Sequence, residues 1–425
     1  MKPTLMKVGA LIAVAAPILM ASCSAPKQAK EVNLTVSGLD PEQFIDTING
    51  KATALYTLTN ENGMEVCVTN LGGRIVSIMA PDKNGNLQDV VLGFDNVKSY
   101  ANLDGKTPSD FGAAIGRFAN RICKGKFTID GTEYDLVKND HGNTLHGGPT
   151  GWQYQVYDVL DADSSSITLQ IVSPDGDNGF PGQVTAKVTY NLTDDNNLVI
   201  LYNAVTDKPT VINMTNHSYF NLSGDPNNSI TEDSLIIFAN KITPIDDKLI
   251  PTGEFRELKP GDPFCFMPEK GKPGMKLIGQ DINADDQQIK FGNGYDHNWV
   301  LMTPPSHVTD LPLCAVMMSP KSGIVLVERT SEPGVQVYSG NFLDGSVTGK
   351  KGIKYQQRTG ICLETQKYPD SPNKTDVKDW TNCTLRPGEE YNSITVFEFH
   401  TTDEMLNGPR KQGPRPEGAP APEAK

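Results

Sequence analysis

Hydrophobic and polar residues alternate with a period of two along most of the chain, which is the pattern of strands with one buried and one exposed face. The longest such run covers residues 184–192, turns at residues 194–197 and returns through residues 198–202. Shorter runs of the same kind cover residues 64–69, 166–171 and 323–327. The pattern predicts antiparallel strands over all of these segments.

Turn-forming pairs separate the runs, and no convincing amphipathic helix interrupts them. Asn84-Gly85, Asp130-Gly131 and Asp344-Gly345 are typical of tight turns between strands. Many strands without an intervening linker, and without an internal repeat, predict an all-β fold. The architecture we expect is one large antiparallel β-sandwich.

The composition narrows the class of protein. Of 425 residues, 37% are hydrophobic, and 39 are Gly and 30 are Pro, which allows a sizeable core but disfavours a helical bundle. The net charge is −13 and the pI is about 5.0, so the surface repels phosphate backbones and a nucleic-acid partner is not expected. The mean hydropathy of −0.37 argues against a polytopic membrane protein.

The start of the chain has the pattern of an export signal. Lys2 and Lys7 precede an apolar run over residues 8–20, which is too short to span a bilayer comfortably. The run ends in small residues before Cys23, and this arrangement is similar to a bacterial lipobox, in which the thiol is lipidated. We therefore expect an exported, membrane-anchored lipoprotein at the periplasmic or cell-surface face. The alternative is an ordinary signal peptide followed by a chance cysteine.

These features divide the chain into four parts. Residues 1–22 are the predicted lipoprotein signal peptide, residues 23–48 a tether and leading segment, and residues 49–402 the folded domain. Residues 403–425 form a tail rich in Pro, Gly and charge that is expected to be disordered. We expect a monomer that meets the membrane only through its lipid anchor. Six further cysteines contain no C-x-x-C pair, so buried free thiols are favoured over disulfides and no zinc signature is present.

Candidate chemistry is concentrated in four short segments. His146, His217 and His297 lie among amide, hydroxyl, glycine or aromatic neighbours. Glu364 lies in an apolar strand segment that we expect to face the sandwich interior, where a carboxylate is costly unless it is paired or functional. Each signal alone fits a structural residue. Together they describe a cleft with amides and aromatics for a sugar, a base and an acid.

Several motifs make the chain similar to the aldose 1-epimerase (galactose mutarotase) family. The similar segments follow the family's order over nearly the whole mature chain, from about Tyr56 to Phe399. They are residues 69–75 (TNLGGRI), 116–122 (GRFANRI), 143–148 (NTLHGG), 213–221 (NMTNHSYFN), 295–298 (YDHN), 334–342 (GVQVYSGNF) and 362–366 (CLETQ). The resemblance implies a galactose mutarotase-like β-supersandwich with a sugar cleft on its concave face.

The resemblance also implies roles for individual residues. Glu364 matches the general base, His217 the general acid and His146 its assistant. The residues that match sugar ligands are Asn120, Arg121, Asp296 and Gln336, and Ser218 and Tyr219 beside His217 are further candidates. The implied reaction interconverts the α and β anomers of free aldohexoses such as galactose and glucose. It involves no redox change and no phosphate transfer, so no cofactor is required, and no nucleotide-binding motif is present.

Other interpretations share part of this pattern. A non-catalytic sugar-binding module would have no need of Glu364 together with two histidines. A glycoside hydrolase needs two carboxylates, for which Asp296 would be the second, and a hexose-6-phosphate 1-epimerase needs a cationic pocket that Arg121 alone supplies thinly. Residues 175–179 (DGDNG) offer hard oxygen ligands for a structural Ca²⁺, although a solvated turn is favoured.

Overall fold

The computed structural model describes residues 33–101, 110–269, 271, 274–302 and 311–407. The predicted signal peptide, Cys23, the first part of the tether and residues 408–425 of the tail lie outside the described residues, so the predictions made for them stay predictions. The described residues from Leu34 onward belong to one compact unit. No helix within that part of the chain has both the length and the apolar character needed to cross a membrane.

Strands account for most of the regular structure. In chain order they are β1 (Asp46–Ile48), β2 (Lys51–Thr53), β3 (Leu55–Thr59), β4 (Glu65–Thr69), β5 (Arg74–Pro81), β6 (Leu87–Asp89), β7 (Ala114–Ile115), β8 (Arg121–Ile122), β9 (Lys126–Ile129), β10 (Thr132–Asp135), β11 (Thr144–Leu145), β12 (Asp158–Ala162), β13 (Ser166–Ser173), β14 (Val184–Leu192), β15 (Asn197–Thr206), β16 (Thr210–Val211), β17 (Thr215–Asn216), β18 (Tyr219–Phe220), β19 (Ser234–Ile237), β20 (Ala239–Thr243), β21 (Arg256–Glu257), β22 (Lys276–Leu277), β23 (Asp296–Leu301), β24 (Leu313–Met318), β25 (Ile324–Thr330), β26 (Gly334–Tyr338), β27 (Ile361–Gln366), β28 (Thr384–Leu385) and β29 (Tyr391–Thr401).

Helices are few and short. The described α-helices are α1 (Val97–Ala101), α2 (Gln287–Gly292) and α3 (Thr402–Asn407). Single 3₁₀ turns cover Pro41–Phe44, Cys123–Gly125, Trp152–Tyr154, Asp177–Gly179, Ile230–Glu232, Lys350–Gly352 and Ser371–Asn373. The prediction of an all-β fold is therefore confirmed.

Three large antiparallel sheets organise the unit. A nine-stranded sheet has the order β12-β13-β14-β15-β29-β25-β24-β19-β22, and a six-stranded sheet has the order β18-β27-β26-β23-β20-β21. The third sheet has four strands in the order β3-β4-β5-β6. The predicted run of residues 184–202 forms the β14–β15 hairpin, with Leu192 paired to Leu198 across the turn.

The six-stranded sheet uses one face for the core and the other for the site. Its core face meets the nine-stranded sheet: the Phe220 and Phe397 rings lie 5.0 Å apart, and the hydroxyls of Thr365 and Thr395 lie 2.5 Å apart. Because side chains alternate along β27, Glu364 projects from the opposite face. The expectation that Glu364 faces the sandwich interior is therefore wrong.

Apolar neighbours explain that difference. Ile361 and Leu363 fill the core face of β27 and belong to the main hydrophobic cluster, so period two leaves Glu364 on the other face of the same strand. Glu364 is nevertheless 2% exposed, because loops and short ribbons cover that face. A buried carboxylate is compatible with a sandwich when such a cover makes a cleft rather than a core.

The leading segment also covers a polar strand face. In β4 every residue is buried, although alternation predicted a solvated face there. The Glu65 carboxylate accepts the backbone N–H groups of Val36 and Ser37 at 2.9 and 3.1 Å. Leu39 and Phe44 are buried in a hydrophobic cluster that is separate from, and smaller than, the main one. Residues 34–44 thus pack on the domain that follows them.

Two local features differ from what the turn and tail patterns suggested. Asp344-Gly345 does not join a tight hairpin but lies in the long connection between β26 and β27. At the other end, α3 begins where the tail was expected, because Thr401 and Glu404 form a capping box. The Glu404 carboxylate accepts the Thr401 N–H at 2.7 Å, and the Thr401 hydroxyl accepts the Glu404 N–H at 3.3 Å.

The six cysteines of the described residues are unpaired, as predicted. Cys67, Cys314, Cys362 and Cys383 are buried, whereas Cys123 and Cys265 are partly exposed. The large core needs no covalent staple.

Candidate active site

The outer face of the six-stranded sheet forms the floor of the candidate site. Pairing of β26 with its two neighbours places Gln336 directly between Glu364 and Asn298. One step along the same face, Tyr338 lies between Asp296 and Cys362. Directly opposed side chains on an antiparallel pair lie about 5 Å apart, so these polar groups form one continuous surface, and all are buried or nearly so.

The segments that contain Arg121 and His146 are paired with each other. β8 pairs with β11, so Leu145 lies opposite Arg121. Asn120 and His146 are tied twice: the His146 N–H donates to the Asn120 carbonyl at 3.1 Å, and the Asn120 N–H donates to His146 Nδ1 at 3.1 Å. Gly147 is required at the next position, because a Cβ there would lie 2.2 Å from the Gly116 carbonyl oxygen.

The backbone of His217 is held by Gly112 and Ala113, the two residues that precede β7. Its backbone N–H donates to the Ala113 carbonyl, and its own carbonyl accepts the Gly112 N–H, both at 2.9 Å. Its ring lies against the ring of Tyr219 with a centroid distance of 5.1 Å, and it meets the edge of His146 at the same distance. The ring therefore cannot rotate freely.

The central contact of the site joins His217 and Glu364. Nε2 of His217 lies 3.5 Å from Oε1 of Glu364, and the other ring nitrogen, Nδ1, lies 3.5 Å from Sγ of Cys362. The second carboxylate oxygen of Glu364 has no hydrogen-bond partner among the described residues. A buried acceptor in this state is suited to a ligand hydroxyl.

A second carboxylate lies across the floor. Oδ1 of Asp296 accepts Nε2–H of Gln336 at 2.7 Å. Nε of Arg121 donates to Oδ2 of Asp140 at 2.7 Å, and the guanidinium charge lowers the pKa of Asp296 and Glu364 against the larger effect of their burial. Asp140 thus orients Arg121 while the guanidinium faces both carboxylates.

Protonation of the central pair is set by its burial. Burial raises the pKa of Glu364 well above its ordinary value, and the carboxylates of Asp296 and Asp110 add to the increase. Burial lowers the pKa of His217, although the carboxylate of Asp110 opposes this. Both shifts favour the uncharged form of the side chain, and because the two groups are in contact, their titration belongs to the pair rather than to either residue alone.

The structure brings together the predicted residues Glu364, His217, His146, Tyr219, Asn120, Arg121, Asp296 and Gln336. Ser218 lies between His217 and Tyr219 and is buried, but its hydroxyl has no hydrogen-bond partner within the described part of the chain. The His297 ring faces the aromatic core, 4.7 Å from that of Phe264, and burial lowers its pKa to about 3. His297 is therefore structural.

Sequence reasoning missed three residues of the site. Asp110 approaches His146 and His217 with a carboxylate oxygen, Asp140 holds Arg121, and Tyr338 lies beside Asp296 and Cys362. Tyr338 could have been found from the period of two in the 334–342 motif. Asp110 and Asp140 carry no comparable local signal, because their partners are distant in sequence.

Two sets of three side chains offer ligand atoms within 4.8 Å of one another: Asp110, His146 and His217, and His217, Cys362 and Glu364. A metal-ligating histidine donates its other ring N–H to an acceptor. His146 instead accepts an N–H at Nδ1, so its neutral ring carries the proton on Nε2. In the second set, Cys362 and Glu364 face opposite nitrogens of one imidazole. Both arrangements suit proton transfer better than metal ligation.

Carboxylate oxygens of the acidic turn over residues 175–179 accept hydrogen bonds from within the protein. Oδ1 of Asp175 accepts the Gly182 N–H at 2.6 Å. Oδ2 of Asp177 accepts the Ser173 hydroxyl at 2.6 Å. These bonds favour a structural turn, and the suggestion of a bound Ca²⁺ gains no support from them.

Comparison with known proteins gives one consistent relationship. The family model for aldose 1-epimerase matches residues 54–398. Galactose mutarotase from Mus musculus is 40% identical over 358 residues, covering 84% of this chain and 97% of that protein. Aldose 1-epimerase from Escherichia coli (strain K12) is 35% identical over 352 residues, covering 83% and 96%.

Solved structures agree with these relatives. The GalM/aldose epimerase homologue from C. elegans superposes with a TM-score of 0.72 and 29% identity, over 82% of this chain and 99% of that chain. Galactose 1-epimerase from Lactobacillus acidophilus superposes with a TM-score of 0.69 and 28% identity, over 84% and 97%. The fold is therefore galactose mutarotase-like.

Proposed function

The chain belongs to the aldose 1-epimerase family and is an isomerase of aldoses, and on that premise we propose that Glu364 and His217 interconvert the anomers of free aldohexoses. The observation that carries the proposal is the buried contact of 3.5 Å between Oε1 of Glu364 and Nε2 of His217. It lies on a floor whose other polar groups, Asp296 and Gln336, suit sugar hydroxyls.

The reaction opens and closes the hemiacetal ring, and two proton transfers assist each step. Glu364 takes the proton of the anomeric hydroxyl, the C1–O1 bond becomes a carbonyl, and the C1–O5 bond breaks with its electron pair on the ring oxygen. That oxygen takes the proton from Nε2 of His217. After rotation about C1–C2, both protons return and the ring closes with the other configuration. Each proton transfer by a positioned group contributes about 10²–10⁴-fold.

The reaction needs Glu364 ionised and His217 protonated. The resting state that burial favours is a neutral carboxyl beside a neutral imidazole, and the reactive state is a carboxylate beside an imidazolium. The two states hold the same number of protons and have the same net charge. No net charge enters the buried site when the reactive state forms, which limits its cost.

His146 and Arg121 orient the sugar rather than exchange protons with it. Burial lowers the pKa of His146, and the nearby His217 and Arg121 charges add to the decrease. A neutral His146 with its proton on Nε2 is a fixed hydrogen-bond donor toward the sugar. Arg121, Asp296 and Gln336 would hold the remaining hydroxyls, and such positioning supplies much of the rate.

Charge in the cleft favours free sugars over sugar phosphates. Asp110, Asp296 and Glu364 converge on the site, while Arg121 is already engaged by Asp140. A phosphate group would meet more carboxylates than cations there. The chemistry itself needs no cofactor.

Polarimetry of freshly dissolved α-galactose and α-glucose tests the function directly. We expect the protein to accelerate the decay of optical rotation for both sugars and to leave α-glucose 6-phosphate at its spontaneous rate. Binding of galactose without acceleration would identify a non-catalytic sugar-binding module instead. Acceleration confined to the phosphorylated sugar would make the protein a hexose-6-phosphate 1-epimerase, and release of sugar from a glycoside would make it a hydrolase.

We further propose that Cys23 is lipidated and anchors the exported protein, because small residues and an apolar run precede it. Cys23→Ser is expected to move the protein from the membrane fraction to the soluble fraction of cells. Cys265→Ser, which removes a partly exposed thiol from the folded domain, is the matched control and should stay with membranes. A wild-type protein that is wholly soluble and carries no lipid contradicts the proposal.

A further inference from the structure

The two histidines of the site differ in what faces Nδ1. For His146 that partner is the backbone N–H of Asn120 at 3.1 Å, which is a donor only. For His217 it is the thiol of Cys362 at 3.5 Å, and a thiol is both a weak donor and a weak acceptor. A partner that can only donate leaves no acceptor for a proton on Nδ1, whereas a thiol can accept one.

The thiol is placed there by the sheet. β18 pairs with β27 so that Tyr219 lies opposite Cys362, and Cys362 and Glu364 are two residues apart on one face, about 6.6 Å along the strand. They therefore reach the same imidazole from its two sides. Cys362, Glu364 and His217 are all at most 4% exposed.

The thiol keeps its proton in these surroundings. Burial raises the pKa of Cys362 well above its ordinary value, and the carboxylates of Glu364, Asp296 and Asp110 raise it further. An S–H group is therefore available to donate to Nδ1. The carbonyl oxygen of His217, which also lies close enough to its own ring to raise the pKa of that ring, already accepts the Gly112 N–H at 2.9 Å.

We propose that Cys362 is a positioning residue that allows His217, but not His146, to serve as the titrating acid. Its S–H donates to Nδ1 of the neutral ring, which holds the ring proton on Nε2 toward Glu364. When the ring is protonated, the thiol rotates and its sulfur accepts Nδ1–H. The Asn120 amide permits only the first of these states, so His146 stays neutral.

This inference deepens the proposed function and rests on it for its kinetic part. A weak acceptor at Nδ1 leaves the imidazolium a strong acid toward the sugar ring oxygen. The groups that face His217 are Glu364, Asp110, His146, Arg74 and the ring of Tyr219. Of the side chains around His217, Cys362 is the one for which the described structure gives a hydrogen-bonding contact with Nδ1.

The test compares Cys362→Ala, which removes both roles, with Cys362→Ser, whose hydroxyl can also donate or accept but must move by about 1 Å to bond Nδ1, because the C–O bond and the O–H···N hydrogen bond are both shorter than their sulfur counterparts. Cys383→Ala is the control, because that thiol is also buried but contacts an apolar cluster. The tautomer is read from long-range ¹H–¹⁵N correlations of ¹⁵N-histidine protein without sugar. His217→Asn, which lacks the signal, assigns it among six histidines.

We expect wild-type His217 to carry its proton on Nε2 and Cys362→Ala to show a mixture of tautomers. A neutral hydrogen bond biases such an equilibrium by roughly 3- to 10-fold, so kcat of Cys362→Ala should fall by about that factor with KM within about twofold. Cys362→Ser should recover most of the rate and the Nε2–H signal, and Cys383→Ala should match the wild type.

An Nδ1–H tautomer in the wild type overturns the proposal, and this measurement needs no variant to fold. Unchanged tautomer and kcat in Cys362→Ala also overturn it. The spectrum is recorded without turnover. Absence of mutarotation in the wild type would therefore contradict the proposed function and leave the Cys362–His217 assignment to be judged by the tautomer alone.

Discussion

Glu364→Gln is expected to lower kcat for galactose mutarotation by about 10²–10⁴-fold, the contribution of a positioned general base. The amide keeps the shape of the carboxyl and its contact with His217 but cannot take the anomeric proton. Sugar binding should survive, so the loss should appear in kcat with KM little changed, which marks an interaction made in the transition state. Stopped-flow polarimetry and galactose titration measure the two parameters.

The matched control is Glu328→Gln. Glu328 is a second fully buried glutamate, in the nine-stranded sheet, whose carboxyl lies 3.2 Å from Sγ of Cys314. Burial raises the pKa of Glu328 to about 8, so it is mostly protonated at neutral pH and Gln is a close mimic. Parental kcat in Glu364→Gln would remove Glu364 from the mechanism. Lost galactose binding with intact chemistry would make it a sugar ligand, and Asp296 would then be tested as the base.

His217→Asn is expected to lower kcat by about 10²-fold or more, because an amide donates a hydrogen bond but cannot release a proton to the ring oxygen. Thermal unfolding should confirm that the variant is folded, since the backbone of residue 217 keeps its bonds to Gly112 and Ala113. His400→Asn, at a partly exposed position in β29, is the control. A folded His217→Asn with near-parental turnover would exclude His217 as the acid.

The pH dependence of the two variants should have opposite signs. In the wild type, kcat/KM should fall at low pH, where the pair gains a second proton, and at high pH, where it loses its only one. Residual activity of Glu364→Gln depends on a protonated His217 and should fall as pH rises, without the acidic limb. Residual activity of His217→Asn depends on an ionised Glu364 and should rise with pH.

The strands could be read from the chain because alternation is a local property. β13, β14, β15 and β25 lie where residues 166–171, 184–202 and 323–327 predict them. Local reading failed at β4, whose polar face is covered by residues 36 and 37, since burial of that face is decided by a segment about 30 residues earlier. It also missed the capping box that starts α3.

The sequence predicted which residues form the site but not how they are arranged. The motifs named Glu364, His217, His146, Arg121 and Asp296, and all five converge. Their sequence contexts contain nothing that specifies which face of a strand becomes a cleft, because loops from elsewhere in the chain make that decision.

The sequence by itself determined that this protein is built of antiparallel strands and which side chains are available for acid–base chemistry. Only the tertiary structure decided that Glu364 and His217 are in contact and that the two histidines have different Nδ1 partners. The physical reason is distance along the chain: Cys362 lies 145 residues from the ring it contacts. Proton affinity and tautomer depend on burial and on such contacts, and neither is encoded in the residues next to a histidine.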